Sequence, residues 1–217
     1  MTYSNVAIDR RTLLTAGAAA FAAVSVPRPT LAASTGEGSP SAQIDQFDNA
    51  LLAAMKAGNT PFEARYRALE PAVAQAFDLD AVLAASIGLS WATMPDAQKA
   101  QLAAAFRRYT VSSYVSNFNS YDGQSFQILP SVRSVGDDEV VVQTRMLRAN
   151  DTPLKLDYVM RRGPAGWRAV DVLTDGSISR VAVQRSDFRQ LLASGGVPAL
   201  AAGLSRKVAN LSGGMAG

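Results

Sequence analysis

The sequence predicts an α+β domain in which an antiparallel sheet of about four strands is covered on one face by helices. Three observations predict it. Apolar residues recur at helical spacing from residue 42 to about residue 119, the period changes to two between residues 125 and 174, and helical spacing returns to close the chain. The breaks between the alternating runs are short, so consecutive strands pair as an antiparallel meander. A sheet with one apolar face must bury it, and the helices are the available cover.

The first helix carries Ile44, Phe47, Leu51, Leu52 and Met55 on one stripe and is ended by Gly58-Asn59. Thr60-Pro61-Phe62-Glu63 has the form of a capping box with proline at the first helical position. It predicts a second helix that carries Phe62, Tyr66 and Leu69 inward, with Pro71 expected to break or restart it. Asp78 is placed to cap a short helix through Leu89. A long helix follows from about Pro95 to Phe118, with Leu102, Phe106, Tyr109 and Phe118 along its apolar side. Arg107 and Arg108, beside those aromatics, read as a solvated face rather than as a headgroup contact.

Four strands are predicted after Tyr121-Asp122-Gly123: Phe126 to Val135, Glu139 to Leu147, Leu154 to Arg161 and Gly166 to Thr174. Gly136-Asp137-Asp138, Asn150-Asp151-Thr152-Pro153 and Gly163-Pro164-Ala165-Gly166 supply the turns. Strand alternation places Val140, Val142, Thr144 and Met146 on one face of the second strand, and Leu154, Leu156, Tyr158 and Met160 on one face of the third. Val170 and Val172 share a face of the fourth, with Asp171 opposite them. Asp137-Asp138-Glu139 reads as a solvated hairpin turn. Two helices close the chain.

The first 33 residues read as a bacterial export signal: Arg10-Arg11, a small-residue apolar stretch from Ala16 to Val26, and a cleavage site near Ala32 or Ala33. The twin arginine resembles a Tat signal, and the apolar run is shorter than the ~20 residues that span a bilayer. Residues 34–41 form a Gly/Ser/Pro-rich flexible leader, residues 42–211 one domain, and residues 212–217 a disordered tail. The chain carries 21 basic and 18 acidic residues. The signal holds Arg10, Arg11, Arg28 and Asp9, so the remainder balances 18 basic against 17 acidic side chains. With the arginines and lysines scattered, no footprint for nucleic acid is present.

There is no cysteine, which rules out disulfides and, in an exported protein, a lipid-acceptor thiol. There is no histidine either, which removes Ser-His and Cys-His nucleophile pairs, imidazole bases and most zinc sites. No glycine-rich nucleotide cradle occurs. No metal and no cofactor is indicated. The functions left are carboxylate chemistry or binding, in a protein expected to be freely soluble in the periplasm.

The run from Trp167 is the most specific in the chain: Trp167-Arg168-Ala169-Val170-Asp171-Val172, then Asp175-Gly176-Ser177-Ile178-Ser179, then Arg185-Ser186-Asp187-Phe188. It resembles the MlaC, or toluene-tolerance, family of periplasmic lipid carriers, in which a Trp-x-x-x-Asp-Val strand precedes an Asp-Gly-x-Ser turn and an Arg-x-x-Phe helix. Phe77-Asp78, Gly88, Trp91, Phe106, Tyr109, Tyr114 and Leu156-Asp157-Tyr158 extend the likeness over the mature chain. Phe106-Arg107-Arg108-Tyr109-Thr110 and Tyr121-Asp122-Gly123 are closest to the hopanoid-associated HpnM branch. The resemblance implies an NTF2-like twisted antiparallel sheet, with helices packed on it to enclose an apolar cavity for phospholipid or hopanoid. It also implies partners: an inner-membrane ABC transporter with its MCE-domain protein, and an outer-membrane lipoprotein complex.

On that reading the lining comprises Val140, Val142, Leu156, Tyr158, Val170 and Val172 from the sheet, with Phe106 and Tyr109 from the long helix. Each is equally a residue type for an ordinary core, and period alone does not separate a filled core from a cavity. Arg185 is expected to pair with Asp171 or Asp175, Trp167 to pack, and Arg145, Arg148, Arg161 and Arg162 to rim the mouth or simply to solubilise. The alternative to a carrier is a histidine-independent isomerase of the NTF2-like kind, using Asp157 or Asp171 with Tyr158. Strand parity sets both acids opposite the apolar face, which disfavours that reading. Nor do two acids sit in a setting suited to glycosidase chemistry. An adaptor with a fully packed interior is the third possibility.

Overall fold

The computed structural model describes residues 38–149 and 151–213. The expected export signal, its cleavage site and the leader as far as residue 37 lie outside the described residues. Among the described residues no helix is long and apolar enough to cross a membrane.

Helix α1 (Pro40–Lys56) starts inside the segment expected to be a flexible leader, because Ser39 caps it by accepting the Ala42 N–H at 3.1 Å and Pro40 presets the first turn. It buries the predicted stripe of Ile44, Phe47, Leu51 and Met55, and with them Asp48. Helix α2 (Phe62–Ala76) departs from expectation twice. Its N-cap is Pro61, which has no side-chain bond to give, so Glu63 falls one position short of a capping box. Glu63 instead accepts from Arg108 of the long helix at 2.9 Å. Pro71 neither breaks nor restarts the helix, since Leu69 before it and Val73 after it are both buried in the same core. That shared burial offsets the lost hydrogen bond.

Helix α3 (Leu79–Ile87) is capped as expected, Asp78 accepting the Ala81 N–H at 2.9 Å. It ends at Gly88, whose φ of +77° turns the chain into a short α4 (Ser90–Thr93). The long helix α5 (Asp96–Asn117) buries Leu102, Phe106, Val111 and Val115. Arg108 does more than solvate its face, because its guanidinium lies 4.2 Å from the Tyr66 ring centre and ties α5 to α2.

Strands β1 (Ser125–Ser134), β2 (Glu139–Leu147), β3 (Leu154–Gly163) and β4 (Gly166–Thr174) form the predicted meander. A two-residue β5 (Ile178–Ser179), not foreseen, adds a fifth strand in the order β1-β2-β3-β4-β5. Val140 pairs with Met160, Val142 with Tyr158, Thr144 with Leu156 and Met146 with Leu154, so the two predicted faces coincide. Between β3 and β4 the register slips: Tyr158 pairs with Val172, Val159 with Asp171 and Met160 with Ala169. Val170 is the unpaired bulge residue. It therefore does not share the face of Val172; Ala169, fully buried, takes the core position in its place.

Helix α6 (Arg180–Gly213) is interrupted at Gly195-Gly196, which divides it into the two closing helices the sequence predicts. Ser212 and Gly213, expected in the tail, belong to its last turn. Helices cover one face of the sheet, and Phe47 of α1 sits at the centre of their contact. Its ring meets those of Phe77, Tyr114 and Tyr158 edge-on, at 5.3, 5.1 and 6.3 Å between centroids.

Candidate functional site

Where α5 and the start of α6 bridge over the sheet, packing is incomplete. A cavity of about 300 Å³ lies between the C-terminal half of α5 and strands β2 to β4. Its walls are largely apolar, from Phe118, Met146, Leu154, Leu156, Tyr158 and Val172, and no carboxylate is among its lining residues. A smaller hollow of about 40 Å³ continues toward α3 between Phe77, Leu79, Val82, Phe106 and Tyr109. The two share Ser113, Tyr114, Val172 and Arg180 as common wall. A more open recess of about 290 Å³ lies outside them between α5 and the end of α6, and again includes Ser113 and Arg180. A larger groove of about 910 Å³ around the exposed Leu89 lies apart, on the outer side of α3, α4 and α6.

The sequence-predicted lining residues divide accordingly. Leu156, Tyr158 and Val172 line the larger cavity, and Phe106, Tyr109 and Val172 line the smaller. Val140 and Val142 are buried in the core and border neither, while Val170 is removed by the bulge. Met146 and Leu154, on the same faces by strand phase, line the larger cavity as well. Tyr114 of α5 and Phe118, its C-cap and already on the predicted apolar side, stand one turn apart, so extending the lining along that side names both. Arg180 gave no signal, because nothing in its neighbourhood distinguishes it from a surface arginine.

Two polar side chains of this part of the core, Tyr158 and Asp48, are deeply buried. The Tyr158 side chain is fully buried and its hydroxyl has no hydrogen-bond partner. Burial pushes that phenol well above its ordinary range, with the neighbouring Tyr114 and Asp48 adding to the effect and Arg180 opposing it. Tyr114 is raised for the same first reason. On α1, burial pushes the Asp48 carboxyl up to about 8, helped by Asp45, and neither carboxyl oxygen has a partner. Asp48 is thus a neutral acid at pH 7.

The mouth is cationic but not as expected. Of the four arginines foreseen there, only Arg148 lines the cavity, and it pairs with Asp151 at 3.3 Å. Arg161 is occupied by Glu139, Arg162 lies over the Trp167 ring, and Arg145 lies in register with Gln127 and Lys155. Arg185 does not pair with Asp171 or Asp175; its Nε and Nη2 donate to the Ala85 carbonyl at 2.9 and 2.7 Å, fastening α6 to α3. The β5–α6 corner is held instead by Asp171, which accepts from the Ser179 hydroxyl and from the Val172 and Val181 N–H groups.

Asp171 lies next to the bulge, within the regular part of the pairing with β3. It pairs with Val159, next to the Tyr158–Val172 pair, and so keeps the expected alternation with Val172, and it also borders the smaller hollow. Both its oxygens are engaged in the corner, however. Asp157 accepts from Gln143 Nε2 at 3.3 Å and lines neither cavity. Neither Asp157 nor Asp171 meets Tyr158 in the larger cavity, which is an apolar receptacle with a polar collar.

A profile of the family described as "MlaC protein" matches residues 45–206. Among solved structures, a phospholipid-binding protein from Ralstonia solanacearum, in complex with a phospholipid, aligns with a TM-score of 0.67 at 20% identity. The alignment covers 79% of this chain and 96% of that one. At that identity the likeness is one of fold: a five-stranded antiparallel sheet with helices on it.

Proposed function

The chain belongs to the MlaC family, and from that premise we propose that it is a periplasmic lipid-binding carrier rather than an enzyme. It shuttles phospholipid, or a hopanoid, between inner and outer membrane as the soluble component of an ABC-type lipid transport system. Its partners on this reading are the MCE-domain protein of the inner-membrane transporter and an outer-membrane lipoprotein complex.

The observation that carries the proposal is the apolar cavity between α5 and the sheet, free of carboxylates and walled by residues of five elements. At about 0.8 kcal/mol per buried methylene, acyl chains supply a large transfer free energy to such a space with no ionic contact. The Ralstonia solanacearum protein of the same fold holds a phospholipid. The cavity of about 300 Å³ lies at the lower end of the ~300–1,000 Å³ typical of ligand pockets. Two long tails therefore enter only as α5 and α6 part from the sheet, joining the inner hollows and the outer recess, which already share Ser113 and Arg180.

Mass spectrometry of organic extracts from the purified mature protein tests this. Stoichiometric phospholipid or hopanoid is the expected result. Protein that emerges lipid-free from membrane-containing cells, and takes up none from phosphatidylglycerol vesicles, would overturn it.

A further inference from the structure

Arg180 occupies an unusual position. It is the one cation bordering all three hollows, and so stands where the buried cavity meets the outer recess. It is also the first residue of α6, the end of a helix at which a positive charge is disfavoured. Local stability therefore does not account for its placement.

Among the described residues no carboxylate forms an ion pair with it, whereas Arg148 is paired with Asp151 and Lys207 with Asp187. Asp171, the single acid among the residues lining the three hollows, spends both oxygens on Ser179, Val172 and Val181. The first α6 amides are taken as well, Val181 by Asp171 and Ala182 by the Ser179 hydroxyl. What remains for an incoming anion is the guanidinium itself, a planar fork suited to phosphate oxygens. A second unspent donor belongs to the same wall: Tyr158 lines the cavity, and its buried hydroxyl has no hydrogen-bond partner.

We propose that Arg180 is the headgroup anchor of the cavity, binding the phosphate of a phosphate-bearing lipid at the mouth while the Tyr158 hydroxyl donates to an ester oxygen below it. This rests on the lipid-carrier reading and narrows it, because it gives the protein a preference for phosphorylated over phosphate-free lipids of equal tail length. Neither hydrophobic burial nor cavity shape provides that preference. The anchor is an exposed side chain whose loss leaves the fold intact.

The test is competitive loading of delipidated protein from vesicles containing equal amounts of phosphatidylglycerol and diacylglycerol with matched tails, with the bound lipid quantified by mass spectrometry. Wild type is expected to favour the phosphorylated lipid at least about tenfold, Arg180→Gln to fall to near parity while still binding lipid, and Arg180→Lys to retain part of the preference. Equal preference in wild type and Arg180→Gln overturns the anchor but leaves the carrier reading standing. No loading of either lipid into wild type overturns the carrier reading itself. A parallel titration with inorganic phosphate distinguishes the source of the anion: millimolar phosphate is expected to leave loading unchanged, and displacement of lipid selectivity by it would mean that the site serves free phosphate.

Discussion

Two buried polar side chains are worse for the empty fold than their apolar counterparts would be, and each yields a measurable consequence. The Tyr158 hydroxyl is buried without a partner, a condition that costs about 1–3 kcal/mol for a neutral group. Tyr158→Phe is therefore expected to leave the empty protein equally stable or more stable by about 1 kcal/mol. The same variant is expected to retain less lipid, a split that urea denaturation and lipid quantification read separately. Lower stability together with unchanged lipid would show that the hydroxyl is a packing element only. Asp48 gives a pH signature. Its carboxyl is raised to about 8 in the fold and titrates near 4 in the unfolded chain, so between those values the native state holds one proton more. The sign follows directly: its contribution favours folding least at high pH, and stability declines as pH rises from about 4 to about 8, at up to roughly 1.4 kcal/mol per unit. Asp48→Asn should flatten that decline and raise the melting temperature at pH 8 more than at pH 5. Parallel pH profiles for the two proteins would show that Asp48 is not the titrating group.

At the scale of elements, the device that orients the mouth is the corner from β4 through β5 into α6, backed by the break within α6. Gly196 has φ of +63° and ψ of −154°, a region open essentially to glycine alone. Just beyond the break the two halves pack so closely that a Cβ on Gly203 would lie 2.9 Å from a Leu191 methyl. Gly196→Ala is expected to lower stability by about 1–3 kcal/mol in urea titration; an unchanged midpoint would mean that the two halves tolerate another crossing. The same corner explains what the sequence could and could not disclose. Strand phase placed the apolar faces of β2 and β3 correctly, because alternation is a property of each strand alone. It failed at Val170, since a bulge arises from the partner strand and leaves the apolar pattern of Val170 and Val172 looking regular. Helix ends read well where a side chain acts on its own backbone, as at Asp78. They failed where a distant element competes, as when Arg108 claims Glu63 from the expected capping box. Arg185 likewise binds the Ala85 carbonyl across 100 residues, a partner that no local pattern announces.

For the whole molecule, the decisive balance is between a closed core and an opened one. The helices rest on the sheet through contacts such as the perpendicular Phe106 and Phe188 rings, 6.1 Å apart, and leave about 300 Å³ in the main cavity. On the proposed carrier reading, a lipid-loaded molecule gives up part of that packing and recovers more by covering hydrocarbon, at about 25 cal/mol for each Å² removed from water. Val172 is the residue on which this exchange is best tested, because it is 5% exposed and belongs to the wall of both inner hollows. A glutamate there places an ionisable carboxyl against acyl chains. Once the cavity holds water, that carboxyl can remain hydrated. Val172→Glu is accordingly expected to keep the far-ultraviolet dichroism of an α+β domain, to lose about 1–3 kcal/mol of stability, and to carry less than about a tenth of the wild-type lipid. Loss of lipid without loss of fold would identify the space beside Val172 as the binding chamber. Full lipid content in a folded Val172→Glu protein would place the tails elsewhere, the groove around Leu89 being the next site to examine.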